Sequence, residues 1–212
     1  MLNLGRLFAA AALALTLAAP AAHAELKQGK DYDLVSPPQA TEKGKVEVIE
    51  FFSYMCPHCD HIDPVVSKWQ KTLAKDVQFQ RVPVIFRPQW EAPARLYYTL
   101  DALGELEKLH GAAFAAVHRE NTDLMTEAGV VNWAVKKGID RKKFTDAYAS
   151  FAVQSKAVGS KQKQGAYGIP GVPAFVVGGK YRTPDSYPGS FDEMMKLVDE
   201  LVAKARAEQG RK

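Results

Sequence analysis

The chain has 212 residues, 47% of them hydrophobic and 25% charged, with a formal net charge of +4 at pH 7, a balance that suits a folded chain with its own core. Its basic and acidic residues are mixed, with no basic block and no aromatic-basic interleaving, so nucleic acid is excluded as a partner. Two cysteines, Cys56 and Cys59, exclude a stapled disulfide framework and leave one closely spaced pair.

Met1 to Ala24 carries Arg6, an apolar stretch from Leu7 to Ala19, and Ala22-His23-Ala24. This is the pattern of a cleaved export signal, with the mature chain starting at Glu25. The apolar stretch is short of the ~20 residues needed to cross a bilayer. Export places the protein where disulfides persist. A disulfide closing so short a loop gives only about 2 kcal/mol in the chain-entropy model, so it is suited to being given away.

Glu25 to Lys45 is polar, contains Pro37-Pro38 and Gly44, and reads as an extended lead-in with at most one short strand. Val46 to Phe52 is the first strong strand, apolar on both faces toward its end, with Glu50 among apolar neighbours. After the cysteines, Ile62, Val65, Val66, Trp69 and Leu73 form a helical stripe. Pro64 falls inside it and should kink that helix without ending it. Val77 to Phe86 alternates as a second strand.

From Pro88 to about Ser160 the patterns are helical. Leu96, Leu100 and Leu103 precede Gly104; Leu106, Leu109, Ala113 and Val117 continue to Asn121; Glu127 to Lys137 follows; and Phe144, Ala147, Tyr148, Phe151 and Ala152 make a last stripe. A strand returns at Pro173 to Val177, and Gly178-Gly179 predicts a tight hairpin into Lys180-Tyr181-Arg182. Ser190 and Glu193 form a capping box for a final helix that buries Phe191, Met194, Met195, Val198, Leu201 and Val202. The order predicts an α/β core, residues 25–87 and 161–212, interrupted by an all-helical insertion, residues 88–160.

Cysteines three apart at a helix start stack one above the other, within reach of a disulfide. Cys56 meets the unpaired N–H groups and positive end of the helix dipole, and Pro57 suits the first helical position. His58 adds an imidazole beside the sulfur, so the Cys56 thiolate is favoured. Stabilising the reduced thiolate makes the oxidised pair a good electron acceptor, which predicts an oxidant. Cys56 is expected to be exposed and to form the mixed disulfide, and Cys59, a turn inside, to be shielded and to resolve it.

Glu50 to Cys59, with Cys56-Pro57-His58-Cys59 at its end, resembles the active-site strand and helix of the DsbA family of exported disulfide oxidases. Gly171-Val172-Pro173 resembles the second landmark of that family, a cis-proline loop facing the cysteines. The resemblance implies a thioredoxin fold with a helical insertion and a cis Val172-Pro173 bond bordering the substrate groove, with Val172 backbone groups pairing to an extended peptide. It further implies a buried acid, Glu50, relaying protons toward Cys59. The implied setting is the periplasm of a Gram-negative bacterium, where a monomer would oxidise unfolded exported proteins and be reoxidised by a quinone-coupled inner-membrane partner of the DsbB type.

No cofactor beyond the cysteine pair and no metal are expected: Cys56, Cys59, His58 and His61 lack a second ligand pair, and Asp60 stands where a haem attachment site needs histidine. His110 and His118, eight apart, read as ordinary surface or packed histidines. Two other readings remain open. One is an export-pathway binding protein whose cysteines are incidental, and the other is a reductase or isomerase kept reduced by a partner.

Overall fold

The computed structural model describes residues 26–210. The expected export signal and its cleavage after Ala24 lie outside the described residues. A five-stranded sheet has the order β1-β5-β4-β2-β3, with β1 at Asp33–Leu34, β2 at Val46–Phe52, β3 at Val77–Pro83, β4 at Ala174–Val177 and β5 at Tyr181–Arg182. β2 pairs parallel to β3 and antiparallel to β4, while β5 pairs antiparallel to both β4 and β1.

Alternation along the strands sends side chains to two covered faces. Val46 and Val48 of β2 and Phe175 and Val177 of β4 pack with Ile62, Val66 and Trp69 of α1 (Pro57–Trp69) and with Met195, Val198 and Leu201 of α7 (Phe191–Gln209). Ile49, Phe51, Ala174 and Val176 point the other way, against Val82, Tyr167 and Ile169. A central strand covered on both sides explains why β2 has little polar alternation.

Five helices lie between β3 and β4: α2 (Glu91–Leu103), α3 (Leu106–His118), α4 (Glu127–Lys136), α5 (Arg141–Tyr148) and α6 (Phe151–Ala166). Their core, built on Leu96, Leu100, Phe114, Trp133, Phe144 and Tyr148, is continuous with Phe52 and Tyr54 of the segment that leads to Cys56. The fold is thus the thioredoxin-like α/β core with an inserted helical unit that the sequence predicts. α6 runs through residue 160 and ends at Ala166, so residues 161–166 are helical and belong to the same element as those before them.

Two other sequence readings change. The stripe through Phe144, Tyr148, Phe151 and Ala152 breaks at Ser150, whose side chain caps a new helix by accepting from the Val153 N–H. The new helix has a different phase: Val153, Ala157 and Ser160 are buried, Ala152 is exposed and Phe151 is 85% exposed. β3 ends at Pro83, short of Phe86, because Pro83 ends the ladder after pairing with Phe52. Only the Val84 N–H continues it, to the Phe52 carbonyl at 2.8 Å.

Pro64 lies inside α1 without ending it. Gly178 and Gly179 have φ of 59° and 67°, the paired left-handed conformation of a two-residue hairpin turn. The capping box at Ser190 and Glu193 is formed.

Candidate active site

β2 delivers the chain to a turn, Ser53 to Cys56, closed by the Cys56 N–H donating to the Ser53 carbonyl at 3.0 Å. Cys56 is the N-cap of α1, with φ −99° and ψ 116°, and Pro57 is the first helical residue. The sulfur of Cys56 therefore sits where helix N–H groups lack intrahelical partners, and it accepts from the Cys59 N–H at 3.4 Å. Both cysteines are thiols here.

Cys56 is less open than the sequence suggests, at 8% exposed against 0% for Cys59. The cause is the loop before β4: the Val172–Pro173 peptide is cis, and the Val172 carbonyl accepts from the Cys56 thiol at 3.3 Å. Pro57 and His58 are exposed.

A hydrogen bond from the Cys59 side chain is the first cause lowering the Cys56 pKa, to about 6; burial opposes it, the Cys59 and His58 backbone N–H groups assist, and the charge of His58 adds the smallest of these contributions. Burial first, then donation to Cys56 and the charge on that sulfur, push the Cys59 thiol well up. The two sulfurs are driven in opposite directions, and the neighbouring sulfur and the helix start matter more than His58.

Glu50, 2% exposed, pairs with Arg81 at 2.8 Å. Burial pushes its carboxyl up and Arg81 draws it back. Its charge is among the causes raising Cys59, so it acts on the inner sulfur. Arg81 also reaches Asp63 of α1 at 3.2 Å, and Asp63 meets His110 Nε2 at 3.3 Å. Burial favours the neutral acid at Asp63, but the hydrogen bond from His110, then the charge of Arg81 and a hydrogen bond from Ser67, outweigh it and hold the carboxyl below its ordinary value.

Arg81, Asp63, Tyr54, His110 and His118 are absent from the sequence-predicted set. Register alone could have suggested one of them, since Arg81 lies opposite Glu50 in the β2–β3 ladder. Among the described residues, no group of three or more His, Cys, Asp or Glu is placed to hold a metal ion, and no helix is long and apolar enough to cross a membrane.

Comparison with known proteins converges on this geometry. Residues 47–201 match the family model described as a DSBA-like thioredoxin domain. The "Thiol:disulfide interchange protein DsbA" of Bordetella pertussis is 42% identical over 204 residues, covering 95% of this chain and 96% of its own. The crystal structure of Pseudomonas aeruginosa DsbA superposes with a TM-score of 0.81 at 37% identity, covering 87% of this chain and 96% of that one. The oxidoreductase NmDsbA1 from N. meningitidis does so with 0.79 at 30% identity, covering 89% and 98%. With a paired Cys56 and Cys59 at the helix start of such a fold, the chain belongs to the DsbA family of periplasmic thiol:disulfide oxidoreductases, in the thioredoxin superfamily.

Proposed function

We propose that the protein is a dithiol oxidase that donates a Cys56–Cys59 disulfide to newly exported proteins through a mixed disulfide at Cys56. The supporting observation is the hydrogen bonding of the Cys56 sulfur at the start of α1, which lowers its pKa to about 6. A sulfur stabilised as an anion is the better leaving group and favours the reduced state of its own pair.

In the forward cycle a client thiolate attacks Cys56, the Cys56–Cys59 bond breaks, and Cys59 leaves and takes up a proton. A second client thiolate then attacks the client sulfur of the mixed disulfide, and Cys56 leaves as a thiolate. The client loses two electrons and the protein gains them. The elevated pKa of Cys59 keeps it protonated and slows its return attack, which would release the client still reduced. Glu50, with a carboxyl raised by burial, is the group that exchanges a proton with Cys59. Val172 offers backbone groups to an extended client beside Pro173, a mode that reads main chain more than side chains.

Turnover requires an external electron acceptor. A quinone-coupled inner-membrane oxidase of the DsbB type fits, its disulfide attacked by Cys56 and the resulting mixed disulfide resolved by Cys59. The setting of this cycle is the periplasm of a Gram-negative bacterium, after removal of Met1 to Ala24, with the protein acting as a monomer.

The test follows oxidation of a reduced, unfolded two-cysteine client by the oxidised protein, together with its equilibrium against glutathione. Stoichiometric client oxidation, lost in Cys56→Ser, is expected. A Cys56 pKa near the free value of about 8.5 would overturn the reading.

A further inference from the structure

One face of α3 is turned to the turn that carries the redox centre. His110, Phe114 and His118 lie four residues apart along that helix, on a single stripe, and all three meet Tyr54. His110 Nδ1 is 2.8 Å from the Tyr54 hydroxyl, the Phe114 ring stands edge-on to the Tyr54 ring at 5.0 Å, and His118 Nε2 is 2.9 Å from the Tyr54 carbonyl. Tyr54 is 1% exposed.

The partners settle which ring nitrogens carry protons. Burial, with the Arg81 charge, disfavours the charged form of His110, and Asp63 accepts at Nε2, so the neutral ring leaves Nδ1 to accept from the Tyr54 O–H. A carbonyl only accepts, so His118 donates from Nε2. Neither bond requires a charged histidine. Tyr54 is thus gripped at both ends, by its hydroxyl and by its carbonyl.

Tyr54 occupies a central position of the turn closed by the Cys56 N–H and the Ser53 carbonyl. That turn decides whether the Cys56 sulfur meets the helix start at N-cap geometry. A turn held only by its own hydrogen bond would sample other geometries, and an oriented donor loses much of its effect on an anion when its angle slips.

We propose that His110 and His118 are positioning residues for the redox centre: by holding Tyr54 from the helical insertion, they fix the turn that keeps the Cys56 sulfur at the start of α1. The insertion then contributes to the poise of the cysteines as well as covering them. The proposal rests on the assignment of Cys56 as the reactive sulfur.

The test compares His118→Ala, His118→Gln and Tyr54→Phe in the mature protein, reading thiolate absorbance against pH and the equilibrium with glutathione. His118→Ala and Tyr54→Phe should each raise the Cys56 pKa by about 0.5 to 1 unit and weaken the protein as an oxidant about three- to tenfold. His118→Gln, whose amide N–H replaces the lost donor, should stay within about twofold of the parent.

Folded His118→Ala and Tyr54→Phe variants that keep the parent titration and glutathione equilibrium, even with lowered melting temperatures, would overturn the proposal and leave α3 as packing alone. Should His118→Ala not fold, His118→Phe, which keeps a ring and removes the donor to the Tyr54 carbonyl, takes its place, and Tyr54→Phe tests the His110 contact. Client oxidation by the unsubstituted protein is measured separately; its failure would remove the oxidase reading while leaving the comparison of titrations intact.

Discussion

Arg81 and Glu50 face each other across the β2–β3 pair, Nε to Oε2 at 2.8 Å, with side-chain exposures of 10% and 3%. Asp63 draws on the same guanidinium from α1, so one buried cation serves two carboxylates beneath the cysteines. Arg81→Met should therefore be severe. Removing one partner of a buried pair costs about 3–5 kcal/mol, because the other charge stays buried without compensation. Denaturant unfolding at pH 7 measures it. Glu50 already has a raised carboxyl pKa from burial, and a group whose ionised form the fold disfavours destabilises as pH rises. The deficit of the variant should shrink as the pH is lowered and Glu50 takes a proton.

Glu50→Gln separates chemistry from stability. Arg81 keeps Asp63, so the variant should fold, yet the group proposed to exchange a proton with Cys59 is gone. Rapid mixing of the reduced variant with a small disulfide should show formation of the Cys56 mixed disulfide at the parent rate and its resolution by Cys59 slowed about a hundredfold, the lower end of the range for loss of a general base. Unchanged resolution would remove the relay role.

The effect of Cys59 on Cys56 is itself testable. Hydrogen bonding from the Cys59 side chain is the first cause of the lowered Cys56 pKa. Cys59→Ala removes that donor and should raise the pKa by about one unit or more, while Cys59→Ser retains a hydroxyl and should raise it less, since a hydrogen bond to a charged group contributes about 1.5–3 kcal/mol. Thiolate absorbance distinguishes the two. His58→Ala should have a smaller effect than Cys59→Ala, in keeping with the smaller contribution of its charge.

Stability should depend on pH in the reduced protein in a way the oxidised protein does not share. The folded pKa of Cys56, about 6, lies below the ordinary thiol value, so the thiolate contribution is fully present above the unfolded value and is lost progressively as the pH falls through 6. At pH 7 it is on the order of 1 kcal/mol. Above 9 the raised Cys59 pKa works in the opposite direction, because the unfolded chain ionises there and the folded one does not. Melting both redox forms from pH 5 to 9 should show the reduced form gaining on the oxidised form as pH increases.

Much of the fold was legible because its signals are local. The stripe of Ile62, Val66 and Trp69, the glycine pair at residues 178 and 179, and the Ser190–Glu193 box each need only a few neighbouring residues to be recognised. Phe151 misled for the same reason: its spacing from Tyr148 fits a helix, and only the cap at Ser150 resets the phase. The surroundings of the redox centre were illegible from spacing. His110 and His118 look unrelated along α3, and they become partners through Tyr54, far away in the chain. Asp63 sits on a helix next to the apolar Ile62, and its burial follows from Arg81 on a different strand.

The sheet is joined from two stretches of chain: β2 and β3 come before the insertion, and β4 and β5 after it. The seam is the β2–β4 ladder, Val48–Phe51 against Ala174–Val177, so each of its hydrogen bonds closes a loop containing all five insertion helices. The cost of closing a loop rises with the logarithm of its length, and contacts between distant residues slow folding. Helices that gather first, with their ends brought together, shorten the loop that remains. The Val172 carbonyl that meets Cys56 lies immediately before β4, so the joint that closes the sheet is also the one that completes the surroundings of the redox pair.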